Sequence, residues 1–423
     1  MKIITNPDKS VWPEICRRNI PDDSSIDEAV ATIIDNVRKN GDKALEEYAR
    51  KFDGVEDFRL KVGEDEVEAA ASKVSEEVKK ALEIAASNIG KFHEAQLPKA
   101  VEVETMPGVN CYQKAVAINS VGLYIPGGRA PLFSTVLMLA LPARLAGCPE
   151  IVLCTPRGRD GRIAPEILYA AQLCGVTEIY GTGGAQAIAA LAYGTDTIKK
   201  VNKIFGPGNR YVTKAKIMVS DRVAIDMPAG PSEVLVLADA SANPDFVAAD
   251  LLSQAEHGPD SQAILVTTDG ELAQKVLASI DSLREKLSRS DSIEKSLSQS
   301  RAIVFQSMDE CLEFVDCYAP EHLIISTENP WDKAKKIKCS GSVFIGNYSP
   351  ESAGDYASGT NHTLPTSGWA AAYSGVNIDS FMHKITYQEL TKEGLKNLGP
   401  VITAMAKAEG LDAHALAVEL RIR

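Results

Sequence analysis

The sequence lacks the features that mark several classes of protein. No stretch reaches the roughly 18 apolar residues of a membrane helix, and the start has no apolar run fit for a signal peptide. Lys and Arg number 45 against 57 Asp and Glu, which gives a net charge of -12. Because they form no basic cluster, we expect no nucleic-acid partner and no membrane contact.

Cysteine and histidine are also scarce. The eight cysteines form no C-x-x-C pair and no dense disulfide spacing, which predicts reduced thiols and a cytoplasmic location. Cys148 and Cys154 flank a predicted strand, and we interpret them as core thiols rather than as a nucleophile. There are only six histidines. Four of them lie near a carboxylate or an amide, which suggests one metal-and-base site assembled from distant segments.

The chain length and the pattern of apolar residues predict an α/β fold. A chain of 423 residues is too long for one ordinary core. From residue 121 onward, short apolar runs alternate with helical stretches, in two series over 121–226 and 234–345, as in parallel sheets covered on both faces. We therefore expect two Rossmann-like parallel-sheet modules, a helical N-terminal region and a helical C-terminal tail. The predicted divisions are an arm without a core element (1–20), a first α/β domain (21–120 with 233–375), a second (121–232) and the tail (376–423).

Three glycine-rich segments follow predicted strands and precede helices, at 126–129, 181–186 and 206–209. Backbone N–H groups and a helix N-terminus can hold a phosphate at such places, but tight turns explain the glycines about equally well. The stiff segment 227–233 joins the two modules. It is either a hinge that presents Ser232 to a cleft between domains or a plain linker.

Two polar pairs are candidates for chemistry. Gln254 and His257 fall at the end of a helix that begins at Asn243 and Pro244, and they predict either metal ligands or an ordinary polar helix end. Glu321 and His322 lie between a helix and a strand. The imidazole suits a general base and the carboxylate could activate water, whereas an acid favoured by a helix dipole is the plainer reading.

Two further pairs lie nearer the C-terminus. Asp355 and His362 fall in a Gly/Ser/Asn/Pro-rich stretch over 347–374, which we predict to be a long loop. Asp355 could ligate a metal and His362 could bind substrate or the site wall, but Asp, Asn and Gly are also ordinary turn residues. Glu409 and His414 lie on or between terminal helices. Glu409 and His414 can take part in the site only if the C-terminal tail reaches it.

Together these segments resemble the histidinol dehydrogenase family. No single motif is decisive, but their order and spacing are specific, and they cover most of the chain from about residue 120 onward. The matching segments are 124–128, 183–194, 206–209, 229–234, 252–257, 319–323, 349–362 and the tail around Glu409 and His414.

The resemblance implies a reaction and a cofactor set. The family oxidises L-histidinol to L-histidine in two NAD-dependent steps through L-histidinal, with Zn²⁺ orienting the substrate. His322 resembles the base that takes the alcohol proton, and Glu321 resembles the residue that activates water. In the family, the zinc ligand that corresponds to His414 comes from the partner subunit of a domain-swapped homodimer.

The resemblance also assigns binding residues. The implied zinc ligands are Gln254, His257, Asp355 and His414. The implied substrate contacts are Ser232, His322 and Glu409, together with those four ligands. The implied NAD contacts are Tyr124, Gln186 and Asn209. Two other readings stay open from the residues alone: a zinc hydrolase that uses Glu321 without NAD, and a non-catalytic α/β binding protein with a structural metal.

Overall fold

A computed structural model describes residues 1–18, 24–127, 131–227 and 230–423. Gly128 and Arg129 of the first glycine-rich segment lie outside the described residues, as do Pro228 and Ala229 of the segment that joins the modules. None of the helices in the described ranges is long and apolar enough to span a bilayer.

Most of the described strands fall in the two predicted series. The strands are β1 Lys2–Thr5, β2 Val101–Met106, β3 Val109–Ala117, β4 Ser120–Tyr124, β5 Glu150–Cys154, β6 Glu178–Tyr180, β7 Lys203–Phe205, β8 Ala224–Ile225, β9 Glu233–Ala238, β10 Gln262–Thr267, β11 Arg301–Val304, β12 His322–Ser326, β13 Ser342–Ile345 and β14 Met382–Leu390. Strands β1, β2, β3 and β14 lie outside these two series.

Helices connect the strands and cover the sheets. They are α1 Trp12–Ile15, α2 Ser24–Asn40, α3 Asp42–Tyr48, α4 Glu64–Ala71, α5 Glu76–Glu94, α6 Phe133–Ala146, α7 Pro165–Cys174, α8 Gly184–Tyr193, α9 Arg210–Met218, α10 Pro244–Ala255, α11 Gly270–Arg284, α12 Ser290–Gln299, α13 Met308–Tyr318, α14 Pro330–Ala334, α15 Glu351–Tyr356, α16 Lys392–Ala408 and α17 Asp412–Ile422. Short 3-10 or π turns occur at Lys9–Val11, Ala49–Asp53, Trp369–Ala371 and Ile378–Phe381.

Two parallel sheets form the body of the molecule. The five-stranded sheet has the order β6-β5-β4-β7-β8, and the six-stranded sheet has the order β1-β11-β10-β9-β12-β13. All of the pairings in both are parallel. Apart from β1, each sheet begins at a central strand, adds two strands on one side and then two on the other. The prediction of an α/β fold with parallel sheets is confirmed.

Alternate residues of each sheet enter cores on opposite faces. In β9, Val234 and Val236 pack with α10 and α11, while Leu235 and Leu237 pack with α13. In the five-stranded sheet, β4 residues face α6 and α7 on one side and α8 and α9 on the other. Both sheets are therefore covered on both faces, which explains why their strands are nearly continuous apolar runs.

The N-terminal region packs differently from the predicted division. We grouped residues 21–120 with the second series of strands, but α2 packs on α8 and α9, α4 packs on α7, and α5 packs on α6. These helices thus cover the five-stranded sheet, because their apolar faces meet the helices that flank it. The grouping of 21–120 with 233–375 is wrong for these helices.

The first residues also belong to the core rather than to a detached arm. Residues Lys2–Thr5 pair in parallel with β11 and form the edge of the six-stranded sheet. Trp12 is buried, and its ring meets Phe305 and Phe314 edge-on at 5.5 and 5.4 Å between centroids. The prediction that residues 1–20 add no core element is wrong.

The C-terminal region forms a projecting layer. Strand β14 pairs antiparallel with β3, which pairs with β2, and α16 and α17 pack on each other beside β14. The tail is therefore not entirely helical, as we expected, because β14 occupies nine of its residues. This layer exposes many large apolar side chains: Val101, Val103, Ile385, Tyr387, Val401, Met405, Leu411, Leu416 and Leu420.

Candidate active site

The candidate catalytic pair lies where β9 and β12 begin, and we call this side of the six-stranded sheet the amino edge. Glu321 and His322 are both buried there. The N–H of Glu233 donates to Oε2 of Glu321 at 2.8 Å, and Nδ1 of His322 lies 3.2 Å from the carbonyl oxygen of Glu233. Because a carbonyl only accepts, Nδ1 carries the proton and Nε2 keeps its lone pair. Two candidate catalytic side chains are thus held by one peptide backbone.

Burial sets the charge states of this pair. Burial lowers the pKa of His322 to about 3, so that its imidazole is neutral at pH 7. Burial raises the pKa of Glu321 well above its ordinary value, with the nearby carboxylates of Glu233 and Asp355 adding to the rise. A neutral imidazole with a free Nε2 is the form that accepts a proton.

Helix α15 brings two carboxyl groups to the amino edge. Glu351 and Asp355 lie one turn apart, so both face His322. Oε1 of Glu351 is 3.4 Å from Nδ1 of His322, and Oδ1 of Asp355 is 3.7 Å from Nε2. The expected loop over 347–374 therefore contains a helix, which is what directs Asp355 into the site.

Helix α10 delivers Gln254 to the same region. Asn243 caps the helix through its side chain, as predicted, and the helix ends at Ala255. Gln254 is fully buried. His257 lies two residues beyond the helix end at the rim of a cavity of about 530 Å³, and its side chain reaches solvent. A positive charge on His257 would contribute to the lowered pKa of His322 and of His362.

His362 lies beside Asp355 and contacts α6. Its Nδ1 lies 2.8 Å from the carbonyl oxygen of Asp355, and its Nε2 lies 3.3 Å from Oγ1 of Thr135 on α6. Burial lowers the pKa of His362 to about 4. The ring therefore joins α15 to a helix of the five-stranded sheet.

The site has the chemistry of a cation site. Both amide atoms of Gln254, Nε2 of His322 and both carboxylate oxygens of Glu351 are buried and have no hydrogen-bond partner among the described residues. Ligand atoms of His322, Glu351 and Asp355 all lie within 4.8 Å of one another. Burial raises the pKa of Asp355 to about 7, and burial with help from neighbouring carboxylates raises the pKa of Glu351 well above its ordinary value. A divalent cation would stabilise all of these groups.

The structure brings together only part of the expected ligand set. Asp355 belongs to the compact group of ligand atoms, Gln254 lies in the last turn of α10, which packs on α15, and His257 follows the end of α10. Glu409 and His414 are exposed on the C-terminal layer, where α17 packs on α16 and α16 packs on β14. Within the residues described for one chain, these two do not join the other site residues.

The residues expected to bind NAD lie in the five-stranded sheet, beyond the C-terminal ends of β4, β6 and β7. We call this side of the sheet the carboxyl edge. The hydroxyl of Tyr124, which is buried, accepts from the N–H of Gly184 at 3.2 Å. Gln186 is buried in the first turn of α8, and Asn209 is exposed and caps α9. The strand order reverses between β4 and β7, and ligands of open α/β sheets bind at such a point.

Close backbone packing explains one of the predicted glycines. Gly206 follows β7 with φ of 127°, a conformation that favours glycine, and a Cβ there would overlap the carbonyl of Tyr124. A cavity of about 1320 Å³ opens beside this edge, near Gly127 and Pro156. The N-termini of α8 and α9 and this cavity thus lie at the same edge of the sheet, although Tyr124, Gln186 and Asn209 do not line the cavity.

Two residues in the site were not given a role from the sequence. Glu351 precedes Asp355 by four positions, which would have indicated a shared face if that segment had been predicted as a helix. Glu233 follows Ser232, the half-buried residue expected to contact substrate. The role of the Glu233 backbone depends on strand pairing between β9 and β12, about 90 residues apart, and no local signal reveals it.

The fold consists of two parallel sheets covered by helices, and a buried histidine–carboxylate site lies at the edge of one of them. This combination is typical of an α/β enzyme. Comparison with known proteins identifies the family. The family model for histidinol dehydrogenase matches residues 16–422. A histidinol dehydrogenase from Bacteroides thetaiotaomicron is 57% identical over 423 residues, covering 100% of this chain and 99% of that protein. The chain belongs to the histidinol dehydrogenase family and is an oxidoreductase of histidine biosynthesis that acts on histidinol.

Solved structures agree with this result. The crystal structure of histidinol dehydrogenase from Elizabethkingia anophelis superposes with a TM-score of 0.98 at 52% identity, covering 100% of this chain and 98% of that one. An acetylating aldehyde dehydrogenase from Geobacillus thermoglucosidasius matches with a TM-score of 0.51 at 14% identity, over 90% of this chain and 94% of that one. The second likeness concerns the fold alone.

Proposed function

We propose that this enzyme converts L-histidinol to L-histidine through L-histidinal, with NAD as the oxidant and zinc in the site. The observation that carries the proposal is the buried pair Glu321 and His322, held on the backbone of Glu233 with Nε2 of His322 free. This pair supplies two different proton acceptors beside a cation site, as an alcohol oxidation followed by an aldehyde oxidation requires.

Gln254, His257 and Asp355 would hold zinc, together with His414 of the partner subunit. The unpartnered amide of Gln254 and the raised pKa of Asp355 support this assignment. Bound zinc would fix the imidazole and amine of the substrate, which orients the reacting carbon. His322 and Glu351 lie close enough to the same position to contact the ion or the groups bound to it.

Tyr124, Gln186 and Asn209 would contact NAD at the carboxyl edge. Bound NAD would accept one hydride in each of the two oxidation steps. The support is positional: all three residues lie at strand ends or helix starts beside the point where the strand order reverses.

His322 and Glu321 would divide the proton transfers. Nε2 of His322 takes the proton of the substrate alcohol while the hydride leaves its carbon. The carboxylate of Glu321 takes a proton from the water that attacks the aldehyde, and a second hydride loss then gives the acid. Ser232 and Glu409 would contact the substrate. The burial of both catalytic side chains keeps bulk water from the aldehyde.

The active form would be a homodimer in which the C-terminal layer crosses to the partner. Strand β14 is exposed along nearly its whole length, and α16 and α17 expose Val401, Met405, Leu416 and Leu420. Several large exposed apolar side chains on one layer suit a protein interface. Exchange of this layer would bring Glu409 and His414 to the partner's site. All eight cysteines are free thiols, which suits a cytoplasmic enzyme.

The first test is NADH formation, measured at 340 nm, with L-histidinol and NAD in the presence and absence of a chelator. We expect about two NADH per histidinol, lost on chelation and restored by zinc. No NADH from folded, zinc-loaded protein would contradict the proposal. Hydrolytic turnover without NAD would then favour a zinc hydrolase, and a metal that raises only the unfolding temperature would favour a binding protein.

The dimer has its own test. An inactive His322→Asn chain is co-expressed with an inactive His414→Ala chain, and the mixed dimer is purified through two different tags. If the layer is exchanged, one of the two sites in the mixed dimer has both wild-type residues, and activity returns to about half of the wild-type value. Absence of recovery would show that each site is built from one chain.

A further inference from the structure

Glu321 and His322 depend on the same peptide backbone for their alignment. The N–H of Glu233 holds the carboxylate of Glu321 at 2.8 Å, and its carbonyl faces Nδ1 of His322 at 3.2 Å. A shift of this one residue along β9 would therefore move both side chains relative to the substrate. Whatever fixes Glu233 also fixes the geometry of the proposed chemistry.

The side chain of Glu233 is fixed by Arg18. Nε and Nη2 of Arg18 donate to the two carboxylate oxygens at 2.9 and 2.8 Å, which is a bidentate pair. The N–H of Ser367 adds a third bond to the same carboxylate at 2.6 Å. The side chain of Glu233 is 1% exposed and that of Arg18 is 11% exposed, so little water competes with these contacts.

Arg18 also holds the segment that leads to the catalytic pair. Its Nη2 donates to the carbonyl of Tyr318 at 2.7 Å, and its guanidinium carbon lies 3.7 Å from the centroid of the Tyr318 ring. Tyr318 is the last residue of α13, and Ala319 then turns the chain with φ of 47°. This is a conformation that a residue with a Cβ seldom adopts, so the turn needs support from its surroundings. Glu321 follows two residues later.

We propose that Arg18 is a positioning residue for histidinol oxidation, acting on Glu321 and His322 through Glu233 and the Tyr318 carbonyl. Arg18 binds the side chain of Glu233 at the start of β9 and the carbonyl of Tyr318 at the end of α13. Among the described residues, none of these hydrogen bonds goes to Glu321 or His322. The inference rests on the roles proposed above for Glu321 and His322. A buried ion pair is in general a weak source of net stability. The bidentate pair of Arg18 and Glu233 is therefore better explained by the alignment of Glu321 and His322.

The test compares Arg18→Met and Arg18→Lys with the wild-type dimer. We expect kcat to fall about 100-fold in Arg18→Met, while KM for histidinol stays within about twofold, because Arg18 makes no substrate contact. Arg18→Lys keeps the charge but loses the bidentate fork, and it should lose about tenfold in kcat. In Arg18→Ala, added guanidinium at millimolar concentration should restore part of kcat. If the uncharged variants do not fold, Arg18→Lys alone still decides the question.

Ile303→Ala is the matched control for stability. Ile303 is fully buried in β11 of the same sheet and lies outside the catalytic and binding machinery, so its loss should lower stability without changing kcat of the folded enzyme. A spectroscopic readout is also available, because the chain has only six histidines. With ¹⁵N-labelled histidine, the Nδ1–H form of His322 should be resolved in the wild type and altered in Arg18→Met.

Wild-type kcat in folded Arg18→Met or Arg18→Lys would overturn the inference. So would a loss that Ile303→Ala reproduces at equal stability, because the effect would then be structural only. His322→Asn and Glu321→Gln are measured alongside. If those two keep full activity, the proposed roles of the pair fail; if they lose it while the Arg18 variants do not, only the positioning role fails.

Discussion

The two parallel sheets share a strand order but carry their candidate site residues at opposite edges. Both are built from a central strand with two strands added on each side, and the six-stranded sheet adds β1 at its border. In the five-stranded sheet, the candidate ligand residues lie at the carboxyl edge, where helices α8 and α9 begin. In the six-stranded sheet, the candidate catalytic residues lie at the amino edge, where α10 and α13 end.

This difference has an electrostatic meaning. Helix N-termini present unpaired N–H groups and partial positive charge, which suits the phosphates of a dinucleotide. Helix C-termini present carbonyl groups and partial negative charge, and at the amino edge Glu321, Glu351 and Asp355 add carboxyl groups to it. That edge suits a metal ion and a substrate with an amine and an imidazole. We therefore expect an anion site at one edge and a cation site at the other, although the two sheets share one topology.

The largest effect should come from the amino edge. His322→Asn removes the proton acceptor but keeps a side-chain N–H that can donate to the Glu233 carbonyl. We expect kcat for histidinol to fall by about 10³-fold, within the range for loss of a general base. NADH formation at 340 nm measures the rate, and elemental analysis measures zinc. Retained zinc with this loss fits the account, whereas lost zinc would mean that His322 is mainly a ligand.

Glu321→Gln should separate the two oxidation steps. Gln has nearly the same shape but cannot accept a proton from water, so we expect about a 100-fold loss with L-histidinal as substrate and a much smaller loss in the first hydride transfer. Single-turnover kinetics from histidinol and from histidinal give the two rates. Equal losses in both would refute the division of labour between Glu321 and His322.

The carboxyl edge should control NAD binding alone. Gln186→Leu keeps the volume of a buried side chain but removes its amide, and we expect KM for NAD to rise about tenfold, the worth of one or two hydrogen bonds. KM for histidinol and zinc content should not change. The matched control is Gln172→Leu, an exposed glutamine on α7. A change in zinc content with Gln186→Leu would break the separation between the two edges.

The smallest effect should come from Asp53, whose carboxyl group lies at the carboxyl edge, where we expect an anionic ligand. Asp53 borders the cavity at the carboxyl edge, and burial raises its pKa to about 6 from an ordinary 3.8. Because the pKa of Asp53 is raised in the folded state, the favourable contribution of Asp53 to the stability of the fold is complete below about pH 3.8. This contribution is lost as pH rises through about 6.

Asp53→Asn should therefore raise the unfolding temperature at pH 8 and change little near pH 3.5. Asp53 is partly exposed, so we expect less than about 1 kcal/mol. Thermal unfolding followed by circular dichroism at the two pH values measures the difference. A stabilisation of equal size at both pH values would show that the ionisation of Asp53 is not its cause.

Local sequence pattern predicted most of the regular structure, but not the elements that depend on distant pairing. The buried strands of both sheets and the capped start of α10 at Asn243 were predicted correctly. Strand β1 was missed because it has four residues and gains its stability from pairing with β11, some 300 positions away. Strand β14 was missed because it is exposed on both faces and shows no apolar alternation.

The candidate site divides in the same way. Gln254, His322 and Asp355 were found from residue type and from likeness to a family, and the structure brings them to one edge. Glu351 could be assigned to the site only if its segment was known to be helical. The role of the Glu233 backbone could be predicted only from the pairing of β9 with β12. Glu409 and His414 lie on an exposed layer, so their place in a site depends on a second chain that no local pattern describes.

The most direct test of the split between the two edges is a crystal structure of the zinc-loaded enzyme with NADH and L-histidinol bound. We predict the pyrophosphate at the N-termini of α8 and α9, and zinc and substrate at the amino edge beside His322. The nicotinamide should extend between them and approach the alcohol carbon within roughly 3.5 Å. Pyrophosphate bound at the amino edge, or zinc bound at the carboxyl edge, would contradict the account.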